Sequence, residues 1–349
     1  MNISRTKDFA IRAFNKSNIS IRNLHIIAND AISCIYFLGE SCNNNLIENC
    51  QFEGSENGIR IIDGKSIVIK YNLFYNRSDA IYSFAESTEV YYNIFNGNAT
   101  GVYVASYLSS AKIYNNVFYD NNQGIAASYA DLVIYNNIFY LTQRGDVAIN
   151  HSMDKLISDH NIFYPEQQGF ISVASKSYKT LDEYQQDKGL DLNSFSQDPM
   201  FKDIYNENFA LLAESPGVDA GINVGLDFDF LGLAVPLGGA PDIGLIENTS
   251  NIRGSATALF QHDAEGLEAE LSVYPNPSDG RFNLYVGVSE ISNSTIQVKD
   301  MTGKLVYSQL HNSSESACVP IDISGKPSGT YIAVLQTNNK LYTKRLTIK

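Results

Sequence analysis

A short motif recurs along the first half of the chain, an apolar strand-like run interrupted by asparagine. It is VIYNNIFY at residues 133–140 and KIYNNVFY at 112–119, and related runs occur on both sides of these two. Each run closes on a large apolar anchor, and the anchors are Ile26, Phe52, Phe74, Phe95, Phe118, Phe139 and Phe163. Successive anchors are 26, 22, 21, 23, 21 and 24 residues apart. Such regular spacing indicates a repeat architecture, in which each unit stacks on the next.

Two further apolar ladders share the period of the anchors. An Ile or Val stands five residues before each anchor, and only Ser158 breaks this series before Phe163. The third ladder begins after a small residue, as in GIRII at 58, AIYSF at 80 and GVYVA at 101, and DVAIN at 146 carries Asp there instead. Each repeat thus holds three short β segments, with too little chain between them for helical crossovers. The sequence predicts an all-β fold, a right-handed parallel β-helix of about eight turns.

The asparagines of the repeat stand at fixed distances from the anchors. Asn23, Asn49, Asn115 and Asn136 lie three residues before an anchor, and Asn72, Asn93, Asn116, Asn137 and Asn161 lie two before it. Asparagine tolerates the left-handed backbone of a tight bend, and stacked amides can hydrogen-bond along a column. We therefore predict that these asparagines form a structural ladder rather than a ligand site.

The outward positions of the third ladder are candidates for contacting a polymer. If the first and third residues after its small residue face inward, the second forms an outward column of Arg12, Ser33, Arg60, Tyr82, Tyr103, Ala126, Ala148 and Ile171. Aromatic faces beside a guanidinium suit sugar rings and carboxylates. Arg60, Tyr82 and Tyr103 are therefore the candidate glycan-facing residues. Cross-strand packing of the tyrosines is the alternative interpretation.

Catalytic groups are less clearly marked than this column. Asp30, Asp79 and Asp146 lie at or beside the start of the third ladder, and glycoside hydrolysis usually needs two carboxylates about 5 to 10 Å apart. Asp30 and Asp79 should be two turns apart, about 10 Å, whereas Asp146 lies three turns beyond Asp79. Turn-forming aspartates are the alternative. Arg60 is a candidate base for a lyase, and no catalytic residue is assigned.

Composition and charge narrow the classes of function. A formal net charge of −13 over 349 residues disfavours binding to nucleic acid or to an anionic membrane. No run approaches the roughly 18 apolar residues of a membrane span, so no transmembrane segment is predicted. Among the four cysteines, Cys42 and Cys50 are candidates for a disulfide in an oxidising compartment, and buried free thiols are the alternative.

The three-ladder repeat, over about residues 9–175, resembles the pectate-lyase-like superfamily of parallel β-helix repeat proteins. That superfamily includes polysaccharide lyases, glycoside hydrolases, epimerases and adhesins, so the resemblance implies the fold more than the chemistry. Residues 198–201, 215–221 and 242–247 read DPMF, SPGVDAG and DIGLIE. These motifs resemble, in the same order, the segment that often closes secreted bacterial β-helix proteins.

The segment after the coil should protect its open end, where unpaired strand edges would otherwise associate. Within it, TLDEYQQDKG predicts a short helix with Thr180 as the N-cap and Glu183 at the capping-box position. Asp227, Asp229 and Asp242 are candidate calcium ligands. Their spacing matches no defined calcium loop, and turn-forming and capping aspartates are the alternative, so no metal site or other cofactor is assigned.

The last part of the chain has a different character. Short alternating strands separated by Pro-Asn-Pro, Asp-Gly and Thr-Gly turns predict a small antiparallel β-sandwich. YPNPSDGRFNL, VKDMTGKLV, SGTYIAVL and KRLTIK, in this order, resemble the C-terminal sorting domain of the type IX secretion system found in Bacteroidetes. The resemblance implies handling by that machinery and a location outside the cell or on the outer-membrane surface.

These features predict four parts: a coil over residues 1–175, an end-closing segment over 176–250, a linker over 251–270 and the sorting domain over 271–349. Cargo of this secretion system starts with a signal peptide, whereas MNISRTKDFAIRAF lacks the apolar core of one. We therefore expect further sequence upstream of Met1. The predicted function is to bind or act on extracellular polysaccharide, as a lyase or hydrolase if an enzyme, and a noncatalytic surface adhesin or structural rod is the alternative.

Overall fold

The coil consists of three parallel sheets, here called A, B and C, through which the chain passes in turn. The structure is a computed structural model that describes residues 2–4, 8–28, 31–54, 56–75, 78–141, 147–153, 155–204, 207–231, 233–248, 271–274, 276, 278–286, 294–300, 303–311, 317–336 and 341–348. Each strand pairs with the equivalent strand of the next turn, so equivalent residues form columns.

Sheet A carries the anchors, sheet B the third ladder and sheet C the ladder that precedes the anchors. Sheet A contains β1 (Asn2–Ser4), β4 (His25–Ile27), β7 (Gln51–Glu53), β10 (Leu73–Tyr75), β13 (Ile94–Asn96), β16 (Val117–Tyr119), β19 (Ile138–Tyr140) and β22 (Ile162–Tyr164). Sheet B contains β2 (Phe9–Phe14), β5 (Ser33–Leu38), β8 (Asn57–Ile62), β11 (Asp79–Ser83), β14 (Thr100–Ala105), β17 (Gln123–Ser128), β20 (Val147–His151), β23 (Ile171–Val173) and the antiparallel β24 (Lys176–Tyr178). Sheet C contains β3 (Ser20–Arg22), β6 (Leu46–Glu48), β9 (Ile67–Lys70), β12 (Ser87–Tyr91), β15 (Ser110–Tyr114), β18 (Asp131–Tyr135) and β21 (Leu156–Asp159).

The coil has about seven complete turns in its described part, because sheet C has seven strands. The predicted count of about eight is therefore slightly high, and sheets A and B extend beyond the complete turns. The parallel all-β architecture itself is confirmed.

The anchors fill the interior as one continuous stack of rings. Ring centroids from Phe52 through Phe74, Phe95, Phe118 and Phe139 to Phe163 are successively 4.9, 5.0, 4.7, 4.8 and 5.2 Å apart. These rings are almost completely buried, and each contributes hydrophobic free energy of about 2 to 3 kcal/mol. A Cβ added to Gly101 would lie 2.7 Å from the Phe118 ring, so the rings explain why small residues begin the third ladder.

The bend before sheet A is left-handed in all seven repeats. The residues three before the anchors are Asn23, Asn49, Tyr71, Tyr92, Asn115, Asn136 and His160, with φ of 56, 53, 55, 52, 53, 55 and 54°. Asparagine is one of the residues that adopts this conformation most readily. The two asparagines of VIYNNIFY therefore occupy different positions, Asn136 in the bend and Asn137 beside it.

The residue after the bend carries an amide ladder that runs through five consecutive turns, Asn72, Asn93, Asn116, Asn137 and Asn161. The Asn116 Oδ1 accepts from both the backbone N–H and the Nδ2 of Asn93, at 2.9 and 3.1 Å. The Asn116 Nδ2 in turn donates to the carbonyl of Val90, at 2.9 Å, and to Asn137 Oδ1, at 3.0 Å. Within the column, each amide is thus satisfied by groups of the neighbouring turns, as a buried polar group requires.

The ladder ends at Cys50, which replaces asparagine at the same position of its turn, and at two residues outside the repeat. At one end the backbone N–H of Cys50 donates to Asn72 Oδ1, at 2.9 Å. At the other end Asn161 donates from its backbone N–H to Ser194 Oγ and from Nδ2 to Asp191 Oδ1, at 2.8 and 2.9 Å. A carboxylate therefore accepts the last amide donor of the column.

A second, shorter amide column was not predicted from the sequence. The Asn98 backbone N–H and Nδ2 both donate to Asn121 Oδ1, at 2.9 and 2.8 Å. Both residues lie three positions after an anchor, and this shared offset was the available signal.

The end of the coil is covered by β24 and one helix, α1 (Leu181–Lys188). The predicted cap is confirmed, because Thr180 Oγ1 accepts from the Glu183 backbone N–H at 3.2 Å. Tyr178, Leu181 and Tyr184 belong to the same buried cluster as the coil interior. This pair of elements shields the last turn from solvent.

The remainder of this segment, with β25 (Phe201–Asp203) and β26 (Asn208–Leu211), lies against the side of the coil. The outward side chains of Ile94, Val117 and Ile138 on sheet A form one buried cluster with Phe209 and Ile243. The prediction that the whole of 176–250 covers the open end is therefore wrong for this part. Each of these three sheet A residues directly precedes its anchor. Two successive apolar residues therefore face opposite sides of sheet A, and both faces of the sheet must be shielded from solvent.

The C-terminal part is a pair of antiparallel sheets packed face to face. One contains β27 (Leu271–Tyr274), β28 (Arg281–Val286) and β31 (Ala317–Asp322), and the other contains β29 (Ser294–Asp300), β30 (Leu305–His311), β32 (Gly329–Gln336) and β33 (Leu341–Ile348). Phe282 and Leu284 from the first sheet share a buried cluster with Val298, Leu335 and Leu346 from the second. The predicted small antiparallel sandwich is confirmed, whereas the predicted linker 251–270 lies outside the described residues.

Removing one rung should show how much the amide ladder stabilises the coil. Asn116→Ala leaves the buried backbone N–H of Asn93 without its acceptor and removes the amide donor to the carbonyls of Val90 and Tyr114, so we expect a loss of about 2 to 4 kcal/mol in the free energy of unfolding. Asn122→Ala, at an exposed neighbouring position, should change it by less than about 0.5 kcal/mol. Urea unfolding followed by circular dichroism measures both, and equal effects would contradict the ladder's role.

Buried carboxyl groups should make the protein more stable in mild acid. Burial raises the pKa of Asp191 to about 6, of Asp229 to about 7, of Asp242 to about 6 and of Glu247 to about 7. A raised folded-state pKa contributes stability that is fully present below about pH 4 and is lost as the pH rises through about 6 to 7. We expect the melting temperature to fall between pH 5 and pH 8.

The Asp191→Asn variant tests one of these groups. The Asp191 Oδ2 is buried without a hydrogen-bond partner, so an amide there removes a buried charge while Oδ1 keeps its donors. As the pH rises from 5 to 8, the wild type should lose stability that the variant keeps. The difference in unfolding free energy should therefore grow in favour of the variant, by on the order of 2 kcal/mol. The exposed Asp131→Asn is the control. A pH-independent difference for Asp191→Asn would contradict the assignment.

Candidate functional site

The outward column of sheet B is continuous, but its members differ from the prediction at three places. The observed register aligns Arg12, Tyr36, Arg60, Tyr82, Tyr103, Ala126, Asn150 and Ser172. Ser33, Ala148 and Ile171 do not belong to it. The buried Cys34 and Ala148, rather than Ala31 and Asp146, occupy the position of the small residue. The chain between sheets A and B is longer before β5 and β20 than in most repeats. A fixed distance from the anchor therefore does not locate the small residue there.

The three candidate glycan-facing residues lie on adjacent turns and touch one another. The Arg60 guanidinium carbon is 4.9 Å from the centre of the Tyr82 ring, and the Tyr82 and Tyr103 rings stack at 5.2 Å. The Tyr103 hydroxyl lies 3.2 Å from Ser128 Oγ on the next turn. Tyr103 therefore leans across the small Ala126. All three candidates remain partly exposed.

A carboxyl group stands beside this row. Asp79 pairs with Asn57 of the preceding turn and with Thr100 of the following one. Burial raises the pKa of the Asp79 carboxyl, although a hydrogen bond with Thr100 and the charge of Arg60 act in the opposite direction. The Arg60 Nε is buried without a hydrogen-bond partner in the described part of the chain. The site thus combines a guanidinium donor and a carboxyl group with an enhanced tendency to hold its proton.

An exposed aromatic pair extends the same edge and was missed from the sequence. The rings of Tyr107 and Tyr129 stack at 4.2 Å, and the two residues are 63% and 42% exposed. Tyr129 follows Ser128, the hydrogen-bonding partner of Tyr103. A separation of 22 residues, equal to one repeat, was the signal for this pair.

The remaining candidate carboxylates are Asp30 and Asp146 for catalysis and Asp227, Asp229 and Asp242 for calcium. Asp30 and Asp146 lie outside the described residues. Asp229 accepts backbone N–H donors from Leu231, Leu233 and Glu247, each at 2.8 Å. The Asp242 carboxylate accepts from the backbone N–H groups of Asp219 and Asn248.

These contacts occupy two of the three candidate calcium ligands. Asp229 and Asp242 serve as acceptors for turns of the segment beside sheet A, and Asp227 is exposed. Among the described residues, no group of three or more His, Cys, Asp or Glu side chains is arranged to hold a metal ion.

Cys42 and Cys50 are separate buried thiols. They donate to the carbonyls of Leu38 and Glu48, each at 3.3 Å. Burial raises the pKa of the Cys50 thiol to about 11, so this group stays protonated and unreactive at neutral pH.

Comparisons with known families agree with this architecture. The family described as right handed beta helix region matches over residues 1–118 and 43–183, and the secretion system C-terminal sorting domain matches over residues 272–349. No curated protein matches the chain. In the described residues, no helix has the length and apolar character needed to cross a membrane. The chain therefore belongs to the right-handed β-helix family and carries a type IX sorting domain that directs its secretion to the cell surface or beyond.

Proposed function

We propose that this secreted protein binds an extracellular polysaccharide along the outer face of sheet B. One observation supports this function most strongly: Arg60, Tyr82 and Tyr103 form a continuous, partly exposed row on three adjacent turns. Turns repeat about every 4.8 Å, a rise comparable to the length of one sugar residue. A chain-like glycan lying along the coil can therefore repeat its contacts from turn to turn.

The chemistry of the row suits a sugar polymer with some acidic groups. Tyrosine rings provide apolar surface for pyranose rings, and their hydroxyls hydrogen-bond with sugar hydroxyls. The Arg60 side chain is partly exposed, so its guanidinium can donate to a glycan carboxylate or hydroxyl. The overall charge of −13 disfavours a densely anionic polymer. A neutral or sparsely carboxylated glycan fits best.

The exposed pair of Tyr107 and Tyr129 enlarges this surface beyond the column. Burying both rings under a ligand removes apolar surface from water, which favours association. Tyr129 follows Ser128, whose hydroxyl contacts that of Tyr103, and Tyr107 stacks on Tyr129. The proposed binding face therefore consists of Arg60, Tyr82, Tyr103, Tyr107 and Tyr129.

Single substitutions on this face should weaken binding without unfolding the coil. We expect Tyr82→Ala and Tyr103→Ala each to reduce affinity about tenfold, because one aromatic contact contributes roughly 1 to 1.5 kcal/mol. Affinity electrophoresis against pectin, alginate, chondroitin and a neutral β-glucan measures the loss. Tyr307→Ala, at a partly exposed tyrosine of the C-terminal sandwich, is the control. Unchanged binding in both sheet B variants would remove this face from consideration.

Glycan cleavage is a second candidate function, and Asp79 favours it. A half-buried carboxyl with a raised pKa is suited to donate a proton to a leaving sugar oxygen. If the protein cleaves a glycan by hydrolysis, Asp79→Asn should lower turnover at least 100-fold while binding persists. If it is a lyase, Arg60→Ala should abolish formation of unsaturated product.

Reducing-end and unsaturated-product assays on the same polysaccharide panel separate these activities. Binding that is lost in Tyr103→Ala, with no turnover by the wild type, identifies a noncatalytic glycan-binding rod. Turnover that survives both Asp79→Asn and Arg60→Ala would place the chemistry away from sheet B.

A further inference from the structure

A concave surface lies on the outer face of sheet C. Tyr91, Tyr114 and Tyr135 align on three successive turns, and residues 222–226 rise beside them as a wall. Together they enclose a cleft of about 440 Å³, within the size range of small-ligand sites. This sheet C cleft faces away from the coil interior and contains none of the five residues of the proposed binding face.

The floor of the cleft combines stacked and unstacked rings. Tyr91 and Tyr114 stack at 5.2 Å with an interplanar angle of 13°. The column continues to Tyr135, but the ring stack does not extend to it in the described part of the chain. Tyr114 is buried beneath this stack, whereas the ring of Tyr135 is partly exposed and remains available to a ligand.

The wall is fixed in place by the bend residue of VIYNNIFY. The Asn136 side chain exchanges two hydrogen bonds with Ile222, donating to its carbonyl at 2.8 Å and accepting from its backbone N–H at 2.9 Å. The neighbouring bend residue Asn115 donates to the carbonyl of Gly244 at 2.9 Å. The cleft is thus held open before a ligand arrives, which reduces the entropic cost of binding.

The polar groups of the cleft balance one another in charge. Lys112 Nζ lies 3.3 Å from Glu89 Oε1, and the Tyr114 hydroxyl donates to Glu89 Oε2 at 3.3 Å. Burial raises the pKa of Tyr91 to about 12 and also raises that of Tyr114. Both phenols therefore stay neutral, and the proton of Tyr114 is directed at Glu89.

We propose that the sheet C cleft is a separate binding site for a neutral saccharide, one or two sugar rings in size. Aromatic rings and the apolar side chains of Val133 and Leu226 cover the less polar surface of such rings. Lys112, Glu89 and the phenols match their hydroxyls as donors and acceptors. A charged sugar would disturb the Lys112–Glu89 pair and leave one charge unpaired. The site would also hold a terminal unit of a longer glycan.

The absence of tryptophan from the sequence permits a direct test. Tyr135→Trp places one fluorescent reporter in the cleft, and Tyr103→Trp places one on the sheet B face, each in the full chain. Cellobiose, maltose, laminaribiose and lactose are the neutral probes, and digalacturonate is the charged one. We expect at least one neutral disaccharide to shift the emission of Tyr135→Trp saturably, and digalacturonate to leave it unchanged.

A variant outside the cleft lining tests the wall. Asn136→Gly keeps the left-handed bend available but removes both hydrogen bonds to Ile222, so it should weaken the response of Tyr135→Trp at least fivefold. Circular dichroism shows whether the coil of each variant remains folded. Lys112→Met, if folded, should weaken the response of Tyr135→Trp to a similar degree.

Three results would overturn the proposal: no response to any neutral disaccharide, a response to digalacturonate alone, or a response that neither substitution alters. Tyr103→Trp reports on the sheet B face independently, so failure of the cleft and failure of the proposed polysaccharide site are distinguishable.

Discussion

Hydrogen bonding between asparagine side chains in successive turns is the interaction on which the coil depends. Each amide of the ladder is buried, so every donor and acceptor must find a partner inside the protein. The neighbouring turn provides that partner only if it carries the same residue at the same height. This requirement explains why the asparagines recur with the period of the phenylalanine stack. It also explains why the column needs groups from outside the repeat after its last turn, where Asp191 provides an acceptor and Ser194 another.

The same register that aligns the amides also aligns the outward side chains. Because each strand sits directly above its equivalent, one substitution per turn is enough to build a long surface feature. Arg60, Tyr82 and Tyr103 form one such column on sheet B, and Tyr91, Tyr114 and Tyr135 form another on sheet C. Stacked tyrosines also stabilise the sheets by cross-strand packing. Packing and ligand contact are compatible here, because the rings touch each other and still expose part of their surface.

The sequence predicted features with a local, periodic signal and missed those that depend on distant segments. The anchors, the three strands per turn and the cap at Thr180 all follow from residues close in the chain. The register of β5 was misjudged because the loop before it is longer than in most repeats, and Cys34 rather than Ala31 takes the place of the small residue. The contact between Asn136 and Ile222 spans 86 residues, and no repeat pattern encodes it. The cleft on sheet C was therefore not foreseeable from periodicity.

Asn136 and Asn137 show how one bend serves both the fold and a surface site. The left-handed backbone at Asn136 turns its side chain away from the ladder and towards residue 222, whereas Asn137 continues the buried column. Tyr71 and Tyr92 occupy the equivalent bend positions of earlier turns and pack in the apolar cluster beside sheet A instead. The bend therefore tolerates different side chains, because only its backbone conformation is required for the coil. The segment beside sheet A is therefore attached to the bends by asparagine hydrogen bonds at one height and by aromatic packing at another. The hydrogen bonds of Asn136 fix the wall of the sheet C cleft.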